Sequence, residues 1–342
     1  MNKPKLIRYI AFAGMAVLAL ACQDITDELV GKKPDDAQTI HITVVAKSAS
    51  NPVFQSARIG AEAAAEDLSE KYSKIDVQID WRTPKEEDPR EQADRILNAV
   101  EDGTDAIMVS CSDDSTLTAA INQAVARGVP VMTFDSDAAG SNRFAFYGPN
   151  DAETGERVVH ELAALLNGAG QIAILGGNKN APNLQKRVEG ALQAAAKYPG
   201  IEVVGPFYHV ETAEAAISEM KRVQNQYPDL KGWAMMGGWP FFSETLLDEM
   251  SPGKLRIVAV DALPVQLVYI DRGIVDVFLG QPTYRWGEIP VQTIVKKLHL
   301  GEEVPEFYQM KLIRVWKDNL GGWARQLRAW GYSDVPVEYL SR

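Results

Sequence analysis

Cysteine is almost missing from this chain. There are two in 342 residues, Cys22 and Cys111, too few for a disulfide framework or a cysteine-built zinc site. Histidine is also scarce. His41, His160, His209 and His299 lie far apart, and no H-x-H or H-x-x-x-H spacing occurs, so no metal site is expected. Positive charge is in deficit, with 35 Lys+Arg against 46 Asp+Glu and a formal charge of −11. Such a chain repels phosphate backbones, which argues against nucleic acid as a partner. There is no G-x-S-x-G, P-loop or dinucleotide fingerprint to hold a catalytic serine or a nucleotide cofactor. What remains is ordinary globular composition, 46% hydrophobic and 24% charged, at a length that suggests two domains.

The longest apolar run is short and sits at the start. Lys3, Lys5 and Arg8 precede an uncharged, mostly apolar stretch from Tyr9 to Ala21. Thirteen residues are too few to span a bilayer as an ordinary helix but suit the core of a secretory signal, giving a signal peptide over 1–21. The run ends Leu18-Ala19-Leu20-Ala21-Cys22, which resembles a bacterial lipobox, although Ala19 stands where a large aliphatic residue is usual. That resemblance implies acylation of Cys22 and a periplasmic or cell-surface protein anchored by lipid. The alternative is plain cleavage near Ala21 or Ala37. Residues 22–39 are polar, lack an apolar period and are expected to form a tether.

From Ile40 onward, short apolar runs such as AIMV, IAIL and IVAV alternate with Ala-rich amphipathic stretches. Runs of this kind suit parallel strands covered on both faces, and their alternation with helices means a doubly wound α/β fold. Eleven strands are expected, too many for one open sheet of this length, so two lobes of five or six strands each are expected. In such sheets the functional loops follow the carboxyl ends of strands. Those ends carry Lys47, Asn51, Cys111, Asp135-Ser136-Asp137, Gly176-Gly177, Gly237-Gly238-Trp239, Asp261 and Gln281.

Five ordered segments resemble the periplasmic sugar-binding proteins of the ribose-binding type, which serve ABC transporters. They are VVAKSASNPVFQSARIGAEAAA, GVPVMTFDSDAAGSNRFAFYGPNDAETGE, KRVEGALQA, IVAVDALP and VDVFLGQPTYRWGE, within about residues 40–316. The resemblance implies the type 1 periplasmic binding fold, two lobes joined by a three-segment hinge. The N-terminal lobe would hold residues 40–149 plus 282–312, and the C-terminal lobe 150–281 plus 313–342. Crossings are expected near Tyr147–Asp151, Gly280–Thr283 and Lys311–Arg314. The resemblance also implies a non-enzymatic binder without cofactor or metal. It would act as a monomer that passes a small neutral sugar or polyol to a membrane permease.

The implied ligand residues are Asn51, Phe54, Asp135, Arg187, Asp261 and Gln281, to which Lys47, Ser136, Asp137 and Trp239 are added. Lys47, Val53, Ser136 and Gly237-Gly238 depart from the ribose pattern and point to another ligand. Carboxylates and amides each bridge two adjacent hydroxyls, and aromatic rings cover the apolar face of a sugar. With Lys47 and Arg187 set against Asp135, Asp137 and Asp261, a strongly anionic ligand such as a sugar phosphate is disfavoured unless Asp137 points away.

Blander roles stand beside these. Asp261 also suits a helix cap, Arg187 an exposed helix face, and Lys47 a simple pairing with Asp137. Trp81, Trp233, Trp286 and Trp316 read as core or lobe surface, and Cys111 as a small buried thiol. Three other functions remain open. A sensor of the lactose-repressor type conflicts with the apolar start of the chain. An exported hydrolase using Asp135 and Asp137 conflicts with their closeness on one loop. A binder that reports to a receptor kinase or chemoreceptor is not separated from a transporter by sequence.

Overall fold

The computed structural model describes residues 37–342. The expected signal peptide, Cys22 and most of the expected tether lie outside the described residues. In chain order the first elements are β1 (Gln38–Val45), α1 (Pro52–Lys71), β2 (Ile75–Trp81), α2 (Pro89–Glu101), β3 (Ala106–Val109), α3 (Asp114–Ala126), β4 (Val131–Phe134) and β5 (Ala145–Gly148). Then come α4 (Asp151–Leu165), β6 (Ala169–Leu175), α5 (Pro182–Ala195), β7 (Gly200–Phe207), α6 (Ala213–Gln226), β8 (Leu230–Met235), β9 (Arg256–Val260), α7 (Leu267–Asp271) and β10 (Val277–Gly280). The chain closes with α8 (Arg285–Leu298), β11 (Phe307–Gln309), β12 (Ile313–Val315), α9 (Leu320–Ala329) and α10 (Val337–Leu340).

Two six-stranded sheets result, one in each lobe. The first has the order β11-β5-β4-β3-β1-β2 and the second β12-β10-β9-β8-β6-β7. All pairings are parallel except β10 with β12. The chain passes from one sheet to the other after β5, after β10 and after β11. Both sheets change winding direction beside their first strand, between β1 and β3 and between β6 and β8. Crevices open at such switch points, outside the carboxyl ends of the strands.

Local sequence explains why these elements form. All four residues of β3, β4, β5 and β10 are buried, so each strand is covered on both faces. Asn51, Asp88, Asp113, Asn150 and Thr212 each cap a helix by accepting a backbone N–H. Glycines set the two closest helix contacts. A Cβ on Gly60 of α1 would lie 1.9 Å from the Tyr284 carbonyl oxygen, at the start of α8. A Cβ on Gly155 of α4 would lie 1.8 Å from the Arg187 carbonyl oxygen. The second contact presses α5, which carries Arg187, onto α4, which carries Asp151.

Two expectations need correction. Among the described residues twelve strands form rather than eleven, β11 being the addition. The strand also begins earlier than the tether was expected to end: Gln38 already donates its N–H to the Lys74 carbonyl (2.9 Å), because β2 offers a parallel partner there. Among the described residues, no helix is long and apolar enough to cross a membrane.

Candidate functional site

The facing carboxyl ends of the two sheets enclose a cleft. It is lined by Lys47, Asn51 and Asp135 from the first lobe's loops with Val53 and Phe54 at the start of α1, and by Asn183, Leu184 and Arg187 of α5 with Glu211, Gly237, Trp239 and Asp261 from the second lobe. Gln281 and Trp286, beside the second crossing, complete the wall. About 320 Å³ lies between these atoms, counted out to the opening.

The second lobe holds its polar groups in one connected network. Arg187 donates to Asp151 Oδ1 (2.8 Å), to the Met236 carbonyl (3.0 Å) and to Gln281 Oε1 (3.2 Å). Gln281 in turn donates to Asp261 Oδ1 (2.8 Å), and the Gly238 N–H donates to Asp261 Oδ2 (2.9 Å). Burial raises the Asp261 carboxyl above the usual carboxylate range, while these two bonds and Arg187 pull against the rise. Burial also lifts Asp151 to about 6, opposed by Arg187. Each planar group is thus fixed before a ligand arrives, which lowers the entropic cost of binding.

The first lobe supplies Asp135, whose φ of 57° turns it toward the cleft. Its Oδ2 accepts from the Ser110 hydroxyl (2.8 Å) and its Oδ1 from Asn183 of the other lobe (3.5 Å). Lys47 reaches across as well. Its Nζ donates to Asn183 Oδ1 (3.1 Å) and stands 3.8 Å from Glu211 Oε1. At the rim, Asn178 donates to Glu87 Oε1 (3.0 Å). The apolar wall is Phe54, Trp286 and Trp239, with Phe54 and Trp286 ring centres 5.9 Å apart.

Eight of the ten expected ligand residues come together here: Lys47, Asn51, Phe54, Asp135, Arg187, Trp239, Asp261 and Gln281. Two do not. Asp137 is taken by Arg143, which donates to both carboxylate oxygens (2.6 and 2.7 Å), and by the Thr133 hydroxyl (2.6 Å). Ser136 is wholly buried behind the turn and does not line the cleft. Asp137→Asn is therefore expected to lower the melting temperature and leave ligand affinity unchanged, a split that thermal unfolding and calorimetric titration resolve. A comparable loss of affinity would return Asp137 to the site.

Lys47 pairs with Asn183 and Glu211, not with Asp137. Asn183, Glu211 and Trp286 join the wall without having been expected there. Two signals pointed to them: Glu211 lies in the loop after β7, as the other polar residues lie after their strands, and Asn183 precedes Arg187 by one helical turn. Glu211 stands in place of Asp137 as the third carboxyl group near Lys47 and Arg187, but burial holds it at about 7, so it carries less negative charge near neutral pH than Asp137 was expected to bring.

Glu211 makes the cleft sensitive to pH. Burial lifts its carboxyl to about 7, Glu87 and Asp135 add to the rise, and Lys47 and the Trp239 indole oppose it. Burial alone would lower the Lys47 ammonium, but Glu211, Asp135 and Glu87 outweigh burial and keep it charged. An acid raised on folding binds more protons in the native state than in the unfolded one. Its contribution is complete below the ordinary value of 4.5 and is lost as pH rises toward about 7. Replacing Glu211 by Gln keeps the neutral form. The melting temperature of wild type relative to Glu211→Gln should therefore fall between pH 5 and pH 8. Parallel curves would contradict this assignment.

A pair of doubly wound lobes whose facing strand ends converge on one polar and aromatic cleft defines a two-lobed binding protein. The chain belongs to the periplasmic binding protein domain family, whose model matches residues 42–303. It is 26% identical to the ribose import binding protein RbsB of Bacillus subtilis over 141 residues, 41% of this chain and 44% of that one. It is 25% identical to a xylitol-binding protein of Mycolicibacterium smegmatis over 151 residues, 44% of this chain and 43% of that one. The match thus spans less than half the length of these curated relatives. An ABC transporter solute-binding protein from Burkholderia graminis, solved in complex with D-arabinose, superposes with a TM-score of 0.76 at 27% identity. The superposition covers 84% of this chain and 98% of that one.

Proposed function

We propose that this chain is an extracytoplasmic solute-binding protein that captures a monosaccharide or polyol between its lobes and delivers it to an ABC transporter permease. The observation that carries the reading is the convergence of Asp135 and Asp261, from opposite sheets, on a cleft walled by Phe54, Trp239 and Trp286. Fixed carboxylates and amides accept and bridge hydroxyls, and the rings cover the C–H face of a sugar. Contacts from both lobes exist only in the closed form, so the guest shifts the open–closed balance by its preference for closure. The relatives that bind ribose, xylitol or D-arabinose support this ligand class.

In this reading the lobes are residues 40–149 plus 282–312 and residues 150–281 plus 313–342. The protein works as a monomer without cofactor, metal or catalysis, and acylated Cys22 anchors it to a membrane. The test is a thermal-shift panel of pentoses, hexoses and polyols. At least one neutral member is expected to raise the melting temperature, because binding to the folded state alone stabilises it. A panel with no shift at millimolar concentration would reject the reading.

A further inference from the structure

The family model ends at residue 303, and the chain after β12 is absorbed by neither the sheets nor the cleft. Its contacts nevertheless lie directly behind the site. Trp323 of α9 is buried, and its indole N–H donates to the Ala262 carbonyl (2.7 Å). Asp261 and Ala262 are consecutive non-glycine residues with φ of 102° and 110°, a conformation that side chains disfavour and that surrounding contacts must hold. Gln266 holds it from one side through the N–H groups of Ala262 and Leu263 (2.8 and 2.6 Å), and Trp323 holds it from the other. The same indole packs on Gly280, where an added Cβ would meet its ring at 3.0 Å. Trp323 thus touches both segments that deliver ligand-facing groups, Asp261 and Gln281.

The segment then reaches the first lobe. Trp330 stacks on Tyr284 in the second crossing, with ring centres 6.2 Å apart and planes within 5°. The Tyr332 hydroxyl is 3.0 Å from Thr283 Oγ1 in that crossing. Gly331 lies against Ile59 of α1, the nearest atom 3.3 Å from where its Cβ would stand. At the far end Arg342 pairs with Asp271 of α7, returning to the second lobe.

We propose that the C-terminal segment, residues 317–342, is a brace across the hinge. In it Trp323 is a positioning residue for Asp261 and Gln281, and Trp330 with Tyr332 ties that support to the first lobe. The brace sets the angle at which the ligand-free lobes rest, and so the work that the guest must do to close them. This rests on the two-lobe clamp but not on which sugar binds.

The test is made without ligand. Spin labels at Lys85→Cys and Lys179→Cys, on exposed loops at opposing rims, report the cross-cleft distance in a Cys22→Ser background. Tyr332→Phe removes only a hydroxyl, and Trp323→Phe removes the N–H while keeping an aromatic ring. Both are expected to displace or broaden the distance distribution beyond its wild-type width. Trp323→Phe is also expected to weaken binding of whichever sugar the thermal panel identifies by roughly tenfold. Wild-type distributions in both folded variants would overturn the brace, even if their melting temperatures fell, because that pattern belongs to a segment that only adds stability. A panel without any binding sugar would sink the transport reading and leave the distance test intact.

Discussion

Asp261→Ala should cost the protein most of its affinity, a loss of roughly 30- to 1,000-fold, or about 2–4 kcal/mol, as for a buried charged hydrogen-bond partner. The size follows from what Asp261 joins. Its two oxygens already accept from Gln281 and Gly238, so truncation removes the acceptor that faces the guest and also releases the Gln281 amide. Calorimetric titration with the best ligand of the thermal panel measures it. Asp261→Asn keeps the shape but loses the charge and should fall between wild type and the alanine variant. Wild-type affinity in Asp261→Ala would remove this residue from the site.

Arg187→Met is expected to damage folding as well as binding. The guanidinium is wholly enclosed and makes three hydrogen bonds, to Asp151, Met236 and Gln281. Without it the Asp151 carboxylate stays buried without its hydrogen-bonded cation. Breaking a buried pair in this way costs roughly 3–5 kcal/mol. The midpoint of urea unfolding should drop accordingly. The double variant Arg187→Met, Asp151→Leu should recover part of the loss, because no stranded charge remains. A destabilisation under about 1 kcal/mol, as for an exposed pair, would contradict the enclosed network.

How much of this was legible from sequence depends on which physical rule each residue obeys. Strands such as β3, β4 and β10 are buried on both faces, so their apolar runs stand out without any context. β11 is three residues long, lies at a sheet edge and exposes Phe307 and Gln309, so its sequence carries no such mark. Asp135, Asp261 and Gln281 follow strands directly, and parallel winding alone places them at the cleft. Ser136 and Asp137 follow just as closely and are turned away. The positive φ of Asp135 reverses the chain there, and Arg143, six residues beyond Asp137, captures its carboxylate.

The residues that were missed make contacts set by the meeting of the lobes. Nothing in the loop bearing Glu211 says that Lys47, 164 positions earlier, will stand 3.8 Å away, because that distance depends on how two separately folded sheets face each other. Trp286 likewise reads as core until α8 is seen to begin beside the second crossing. Sequence therefore specifies each half of the site well and the seam between the halves poorly.

The most direct measurement is a crystal structure of the protein with the sugar or polyol that gives the largest thermal shift. One guest molecule should be hydrogen-bonded at once to Asp135 of the first lobe and Asp261 of the second, with its C–H face against Trp239, Phe54 or Trp286. A guest held by one lobe alone, or seated outside the cleft between the sheets, would contradict it.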